Sequence, residues 1–176
     1  AIKISFMFRK QPKIEVKPTK TDRLVIRVGW ALVALHFILV VVFYADLPDT
    51  IATHFNLKGV ADGFGHKNDL WALPILTLFF YYGLWLLTTR MKPWNYNYPT
   101  KVTEVNAPAL YALSIQMMVW LNIGIVLTFL AISVHSILLA KEIHIHFMGW
   151  LPMVLVAGIT LYPILVIYQM FQIPKT

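Results

Sequence analysis

The sequence predicts an all-α membrane protein of four transmembrane helices, with N and C termini cytoplasmic and one motif-bearing extracytoplasmic loop. Composition is the first reason: 59% of residues are apolar, 14% aromatic and only 13% charged, a balance rarely found in soluble domains. The second is four continuous apolar stretches, at about residues 24–45, 70–88, 109–140 and 147–171, long enough to supply the roughly 20 helical residues that cross a hydrocarbon core. They lack the alternation of an outer-membrane barrel strand. The third is the charge between them. Residues 1–23 carry seven basic against two acidic side chains, a net +5; residues 46–69 carry a net −2; residues 89–106 carry a net +2. The positive-inside rule then places the loop 47–67 and the short link 141–146 outside. The division is a basic cytoplasmic arm (1–23), a transmembrane domain (24–171) and a cytoplasmic tail (172–176).

The arm is suited to anionic lipid, which attracts juxtamembrane Lys and Arg at about 1 kcal/mol per residue. Nothing in it resembles a nucleic-acid module. Ile2, Ile4, Phe6 and Phe8 recur at period 2, as in a short strand or an interfacial segment. The first span is expected to be a retained anchor, because its apolar run is long for a secretory signal and no small-x-small cleavage pattern follows. After it, Pro48 favours the start of a short helix in which Ile51 and Phe55 share a face. Gly59, Asp62-Gly63 and Gly65 supply turns, and Asn68 or Asp69 is placed to cap the second span. In the loop 89–106, Trp94, Tyr96 and Tyr98 suit the membrane interface and Pro99 blocks helix. Thr103 or Asn106 can then cap the third span, with Pro108 tolerated in its first turn. Pro152 and Pro163 should kink the fourth span or ease its entry.

Few residues in the spans carry chemistry. His36 and His135 lie at unequal depths, which disfavours bis-histidine haem ligation; each is expected to bond a neighbouring carbonyl or hydroxyl, and Gln116, Asn122 and Gln169 to tie helices together. No cofactor is expected. His54, His66, His144 and His146 are the candidate zinc ligands, with Asp46, Asp49 and Asp62 as possible oxygen donors. Against such a site, His144 and His146 share a face only in an extended chain and glycines leave the other two loosely held, so no metal is expected. The chain has no cysteine, and no GxSxG is present; an enzyme is not expected.

The stretch 47–67, LPDTIATHFNLKGVADGFGHK, resembles the signature LPxxIPxHFNxxGxPDxxxxK of a bacterial integral membrane family of unknown function, related to the immunity membrane protein against the sporulation-delaying toxin. Residues 97–111, NYPTKVTEVNAPALY, are similar to a second segment of that family, NYPxKITEENxxxLY. The resemblance runs from residue 25 to about residue 171. It points to Leu47, Pro48, His54, Phe55, Asn56, Gly59, Asp62 and Lys67, and to Asn97, Tyr98, Pro99 and Asn106. Ala52 and Ala61 stand where the family commonly has proline, a change expected to loosen turns. What the resemblance implies is a non-enzymatic protein of the inner (cytoplasmic) membrane. Its outward loop 47–67 would recognise a peptide, toxin or envelope partner. The alternative is a structural or accessory subunit of a larger membrane complex. The second motif reads as an interfacial anchor, or as a docking place for a partner inside the cell.

Overall fold

The computed structural model describes residues 11–174. The period-2 pattern of Ile2 to Phe8 and the last two residues of the tail lie outside them. Among the described residues, four helices are long and apolar enough to cross a membrane: α1 (Lys20–Tyr44), α2 (Ala72–Arg90), α3 (Ala107–Ala140) and α4 (His146–Gln172). Between α1 and α2 the chain forms two antiparallel strands, β1 (Thr50–Phe55) and β2 (Ala61–His66), followed by a 3-10 turn over Lys67–Trp71. A second 3-10 turn, Pro93–Asn95, lies between α2 and α3.

Helix α1 starts four residues before the apolar run does, because Thr19 and Asp22 form a capping box: the Asp22 carboxylate accepts from the Thr19 N–H at 2.8 Å, and the Thr19 hydroxyl oxygen accepts from the Asp22 N–H at 3.1 Å. Lys20 to Arg23 therefore belong to α1, not to the arm. The cap ahead of α2 comes from His66, whose Nδ1 accepts from the Asn68 N–H at 3.2 Å. Neither Asn68 nor Asp69 fills that role, since the Asn68 side chain is taken by the Tyr44 hydroxyl. Asn106 does occupy the N-cap position of α3, with Pro108 in the first turn, but its side chain bonds backwards. Its Oδ1 accepts from the Thr103 N–H at 2.8 Å and its Nδ2 donates to the Lys101 carbonyl at 3.0 Å, closing the loop ahead of the helix. Pro152 and Pro163 are both accommodated inside an uninterrupted α4.

Helix α3 is the axis of the bundle. It packs on α1, α2, α4 and β1, whereas α4 packs chiefly on α3. At 34 residues and about 1.5 Å of rise each it is longer than the roughly 30 Å hydrocarbon core. The surplus at its C-terminal end carries the hairpin. The flanks of the bundle are covered by exposed apolar side chains such as Phe79, Val154 and Leu165, as expected of helices surrounded by lipid.

Apolar contacts cannot by themselves fix the register of helices in hydrocarbon, and polar contacts do so here. His36 on α1 is fully buried between Thr77 of α2, 3.1 Å from its Nδ1, and Ser133 of α3, 2.6 Å from its Nε2. The Thr77 hydroxyl gives its proton to the Leu73 carbonyl at 2.8 Å, so its oxygen must accept from His36 Nδ1. Neutral His36 then accepts from Ser133 at Nε2, and both ring nitrogens are satisfied. The Tyr81 hydroxyl donates to the Ile26 carbonyl at 2.6 Å, beside Gly29, where any side chain would collide with the Tyr81 ring. Asn122 Nδ2 donates to the Tyr81 carbonyl at 3.0 Å. Gln116 and Gln169 do not join this set: both are exposed on the outside of the bundle, because the helical phase that buries Ile115 and Met170 turns their neighbours outward.

The described part of the arm, the 91–106 loop and the C-terminal end of α4 gather at one end of the bundle, and the hairpin and the start of α4 at the other. Lys58 and Asn95 are exposed at these opposite ends. Single cysteines placed there should differ in labelling by a membrane-impermeant thiol reagent, and the loop charges assign the reactive one in intact cells to Lys58→Cys. Labelling of Asn95→Cys alone would reverse the assigned orientation.

Candidate functional site

The stretch expected to be a short helix after Pro48 is a strand. Ile51 and Phe55 share a face in either geometry, so their spacing does not separate the two; β-branched Thr50, Ile51 and Thr53 and the tight turn that follows decide it. In that turn the Asn56 side-chain oxygen accepts from the Lys58 N–H at 2.9 Å and the Val60 N–H at 3.2 Å, and Gly59 adopts φ +72°. Ala52 and Ala61 lie in the strands and loosen no turn.

The hairpin is fastened to the bundle from beneath. Leu47 and Ile51 enter a buried cluster with Val40, Leu70 and Ile137. Ser136 donates to the Ala52 carbonyl, and His135 Nε2 lies 3.2 Å from the Gly59 carbonyl. That carbonyl can only accept, so the His135 proton is on Nε2. Phe55, half-buried, lies against the His135 ring with centroids 4.6 Å apart. Gly59 also meets the backbone of Gly149 at the start of α4, with no room for a Cβ. At the base, Lys67 donates to the Leu47 carbonyl at 3.2 Å and pairs with Asp49 at 3.2 Å. Pro48 is exposed at the strand entry. Leu47, Phe55, Asn56, Gly59 and Lys67 are thus the frame.

His54 and Asp62 are what the frame presents. Two irregularities in the pairing, on either side of His54, accompany the outward turn of its ring. Gly63, opposite it, leaves no room for a side chain beside the His54 Cβ. His54 Nδ1 and Asp62 Oδ1 are 2.5 Å apart, with the imidazole side chain 73% exposed. A carboxylate fixes the Nδ1–H form, leaving Nε2 free to meet another molecule. Leu57, Val60 and Phe64 are exposed on the same hairpin. The four candidate histidines do not converge: His66 caps the 3-10 turn, His144 is exposed on the α3–α4 link and His146 is exposed at the start of α4. Among the described residues, no group of three or more His, Asp or Glu comes together that could hold a metal ion. The residues that sequence reasoning did not assign to the hairpin are Ser136 and Gly149. A polar cluster at 133–136 in an otherwise apolar helix was the available signal.

At the other end, the second motif is an anchor and also a cavity wall. The Tyr98 hydroxyl lies 3.0 Å from both the Pro93 carbonyl and the Ser114 hydroxyl, and burial pushes the phenol up from its ordinary titration range. It remains a proton donor. Asn97 and Pro99 are exposed and line, with Tyr96 and Tyr98, an apolar space between α2 and α4. The arm docks on this loop: Gln11 donates to the Tyr96 carbonyl at 2.7 Å, the Tyr111 hydroxyl donates to the Pro12 carbonyl at 2.8 Å, and Glu15 pairs with Lys92 at 3.1 Å. Ile14 and Val16 turn inward between exposed Lys13, Glu15 and Lys17.

Residues 31–78 match the model of a family described as a domain of unknown function, DUF1648. That segment takes in most of α1, the hairpin and the start of α2, and therefore both the frame and the His54–Asp62 pair. An uncharacterized protein of Archaeoglobus fulgidus is 34% identical over 56 residues, 32% of this chain and 31% of that relative. The chain thus covers about a third of the relative it matches. No solved structure matches the chain. With four helices able to span a bilayer, this is a multi-pass membrane protein of unknown function.

The frame and the presented pair should separate in stability. Gly59→Ala combines left-handed backbone strain of about 1–3 kcal/mol with a clash against the Gly149 backbone, and is expected to lower unfolding free energy in detergent micelles by at least about 2 kcal/mol. His54→Ala should change it by less than about 0.5 kcal/mol. Denaturant titration followed by tryptophan fluorescence measures both.

Proposed function

We propose that the protein is a non-enzymatic recognition protein of the cytoplasmic membrane, whose outward hairpin binds a peptide, toxin or envelope partner. The observation that carries this reading is the exposed His54–Asp62 pair on a hairpin whose other motif residues are spent on holding it still. A rigid support lowers the ordering cost of binding. The pair offers a fixed imidazole nitrogen and a carboxylate, with Leu57, Val60 and Phe64 close by in the chain as apolar contacts. The resemblance to the immunity-protein family supports a toxin or peptide as the partner, and the loop charges of +5, −2 and +2 support an outward-facing hairpin.

A second reading, an accessory subunit of a larger membrane assembly, is supported by α4. Ala157 and Gly158 are exposed on it, and nothing lies within 4 Å of where a Gly158 Cβ would stand, a small-residue dent of the kind into which another helix packs.

Gentle purification from the native membrane distinguishes the two. Under the recognition reading, a co-purifying partner is lost about tenfold, the equivalent of roughly 1.4 kcal/mol, with His54→Ala or Asp62→Asn. Gly158→Leu leaves it in place. Stoichiometric subunits that survive both hairpin changes and leave with Gly158→Leu would overturn recognition in favour of assembly.

A further inference from the structure

We propose that the space between α2 and α4, under the 96–99 segment, is a site for one acyl chain of an anionic phospholipid. The cavity encloses about 540 Å³, inside the range of roughly 300–1,000 Å³ typical of small-molecule sites. Its walls are Leu87 of α2 and Met91 just after it, Met117 and Met118 of α3, and Ile167 and Met170 of α4.

Three properties of the cavity select the occupant. The first is access. Helices α2 and α4 each pack chiefly on α3, so the space between them is flanked by two membrane-spanning helices, whose surroundings are hydrocarbon. Left empty, it would forfeit dispersion contacts along every wall. The second is the state of its polar atoms. Tyr98 and Ser114 bond each other, and the Tyr96 hydroxyl donates to the Leu87 carbonyl at 3.0 Å. These three hydroxyls are already bonded, Asn97 is exposed, and four methionine side chains adapt to a flexible chain. A partner helix, about 10–12 Å across, would fill this volume with little more than one turn.

The third property is charge at the rim. Arg90 immediately precedes Met91, Lys101 follows Pro99 by two residues, and both are exposed. The Lys92 ammonium is already held by Glu15. A phosphate-bearing headgroup above the chain meets Arg90 and Lys101 at the level where Tyr96 and Tyr98 mark the interface. A zwitterionic headgroup gains less from the same cations.

The test uses the full chain reconstituted in vesicles of phosphatidylglycerol and phosphatidylethanolamine, with a diazirine on the acyl chain of one or the other at equal mole fraction, and peptide mass spectrometry to locate the label. Labelling by the phosphatidylglycerol probe is expected at Met117 and Met118 about tenfold above that at Phe79, which is 69% exposed on the outer flank of α2. Met117→Trp, which fills the space, should remove the excess at Met118 with helical content unchanged. The contrast within the wild-type chain stands even if that variant does not fold. Equal labelling at Phe79 and Met117 would overturn the site, as would a co-purifying peptide that leaves Met117 and Met118 unlabelled. Equal labelling of the cavity by both probes, unaltered by Arg90→Gln with Lys101→Gln, would overturn the anionic assignment.

Discussion

A histidine enclosed by three helices in hydrocarbon has no water to bond, and the positions of Thr77 and Ser133 follow from that constraint. Each unsatisfied polar group at such depth costs several kcal/mol, while sliding one apolar helix along another costs little. The His36 bonds to α2 and α3 therefore define one register among many that are equally greasy. Tyr81 and Asn122 repeat the device further along the bundle.

With α1, α2 and α3 in register, the C-terminal turns of α3 become a platform. Ser133 faces inward to His36, while His135 and Ser136, two and three residues on, reach the hairpin. One short segment of α3 thus couples the buried register to the hairpin. The hairpin divides its polar residues accordingly: Asn56 and Lys67 satisfy backbone, and His54 and Asp62 satisfy each other while staying open to solvent. An exposed pair of this kind adds little stability, which frees it for a different use.

The opposite end is built by a different logic. There the described arm residues and the aromatic loop pack with the ends of α3 and α4, and extended arm residues lie over Tyr111 and Tyr98. The closure is incomplete toward the bilayer between α2 and α4, where lipid is the neighbouring material. Gly59 at one end and Tyr98 at the other are thus both motif residues, one excluding a side chain and the other ordering a loop.

Hydropathy and charge, which sum over many residues, were enough to locate four spans within a few residues and to set off residues 46–69 and 89–106 as the polar segments between them. The sequence also implied that His36 and His135 would bond hydroxyl or carbonyl groups, since a lone histidine in hydrocarbon has no other partner. What it could not supply was which ones. Apolar spacing at 51 and 55 suits a helix or a strand equally, and only the Asn56–Val60 turn, seated against Gly149 from a distant helix, settles on a hairpin. The cap by His66 in place of Asn68 was likewise hidden, because Asn68 is drawn away by Tyr44 on α1. The separation of frame residues from His54 and Asp62, and the cavity under Tyr98, depend on contacts between segments far apart in the chain. Single-residue propensities and local periodicity carry no term for such contacts, so only the tertiary structure decided them.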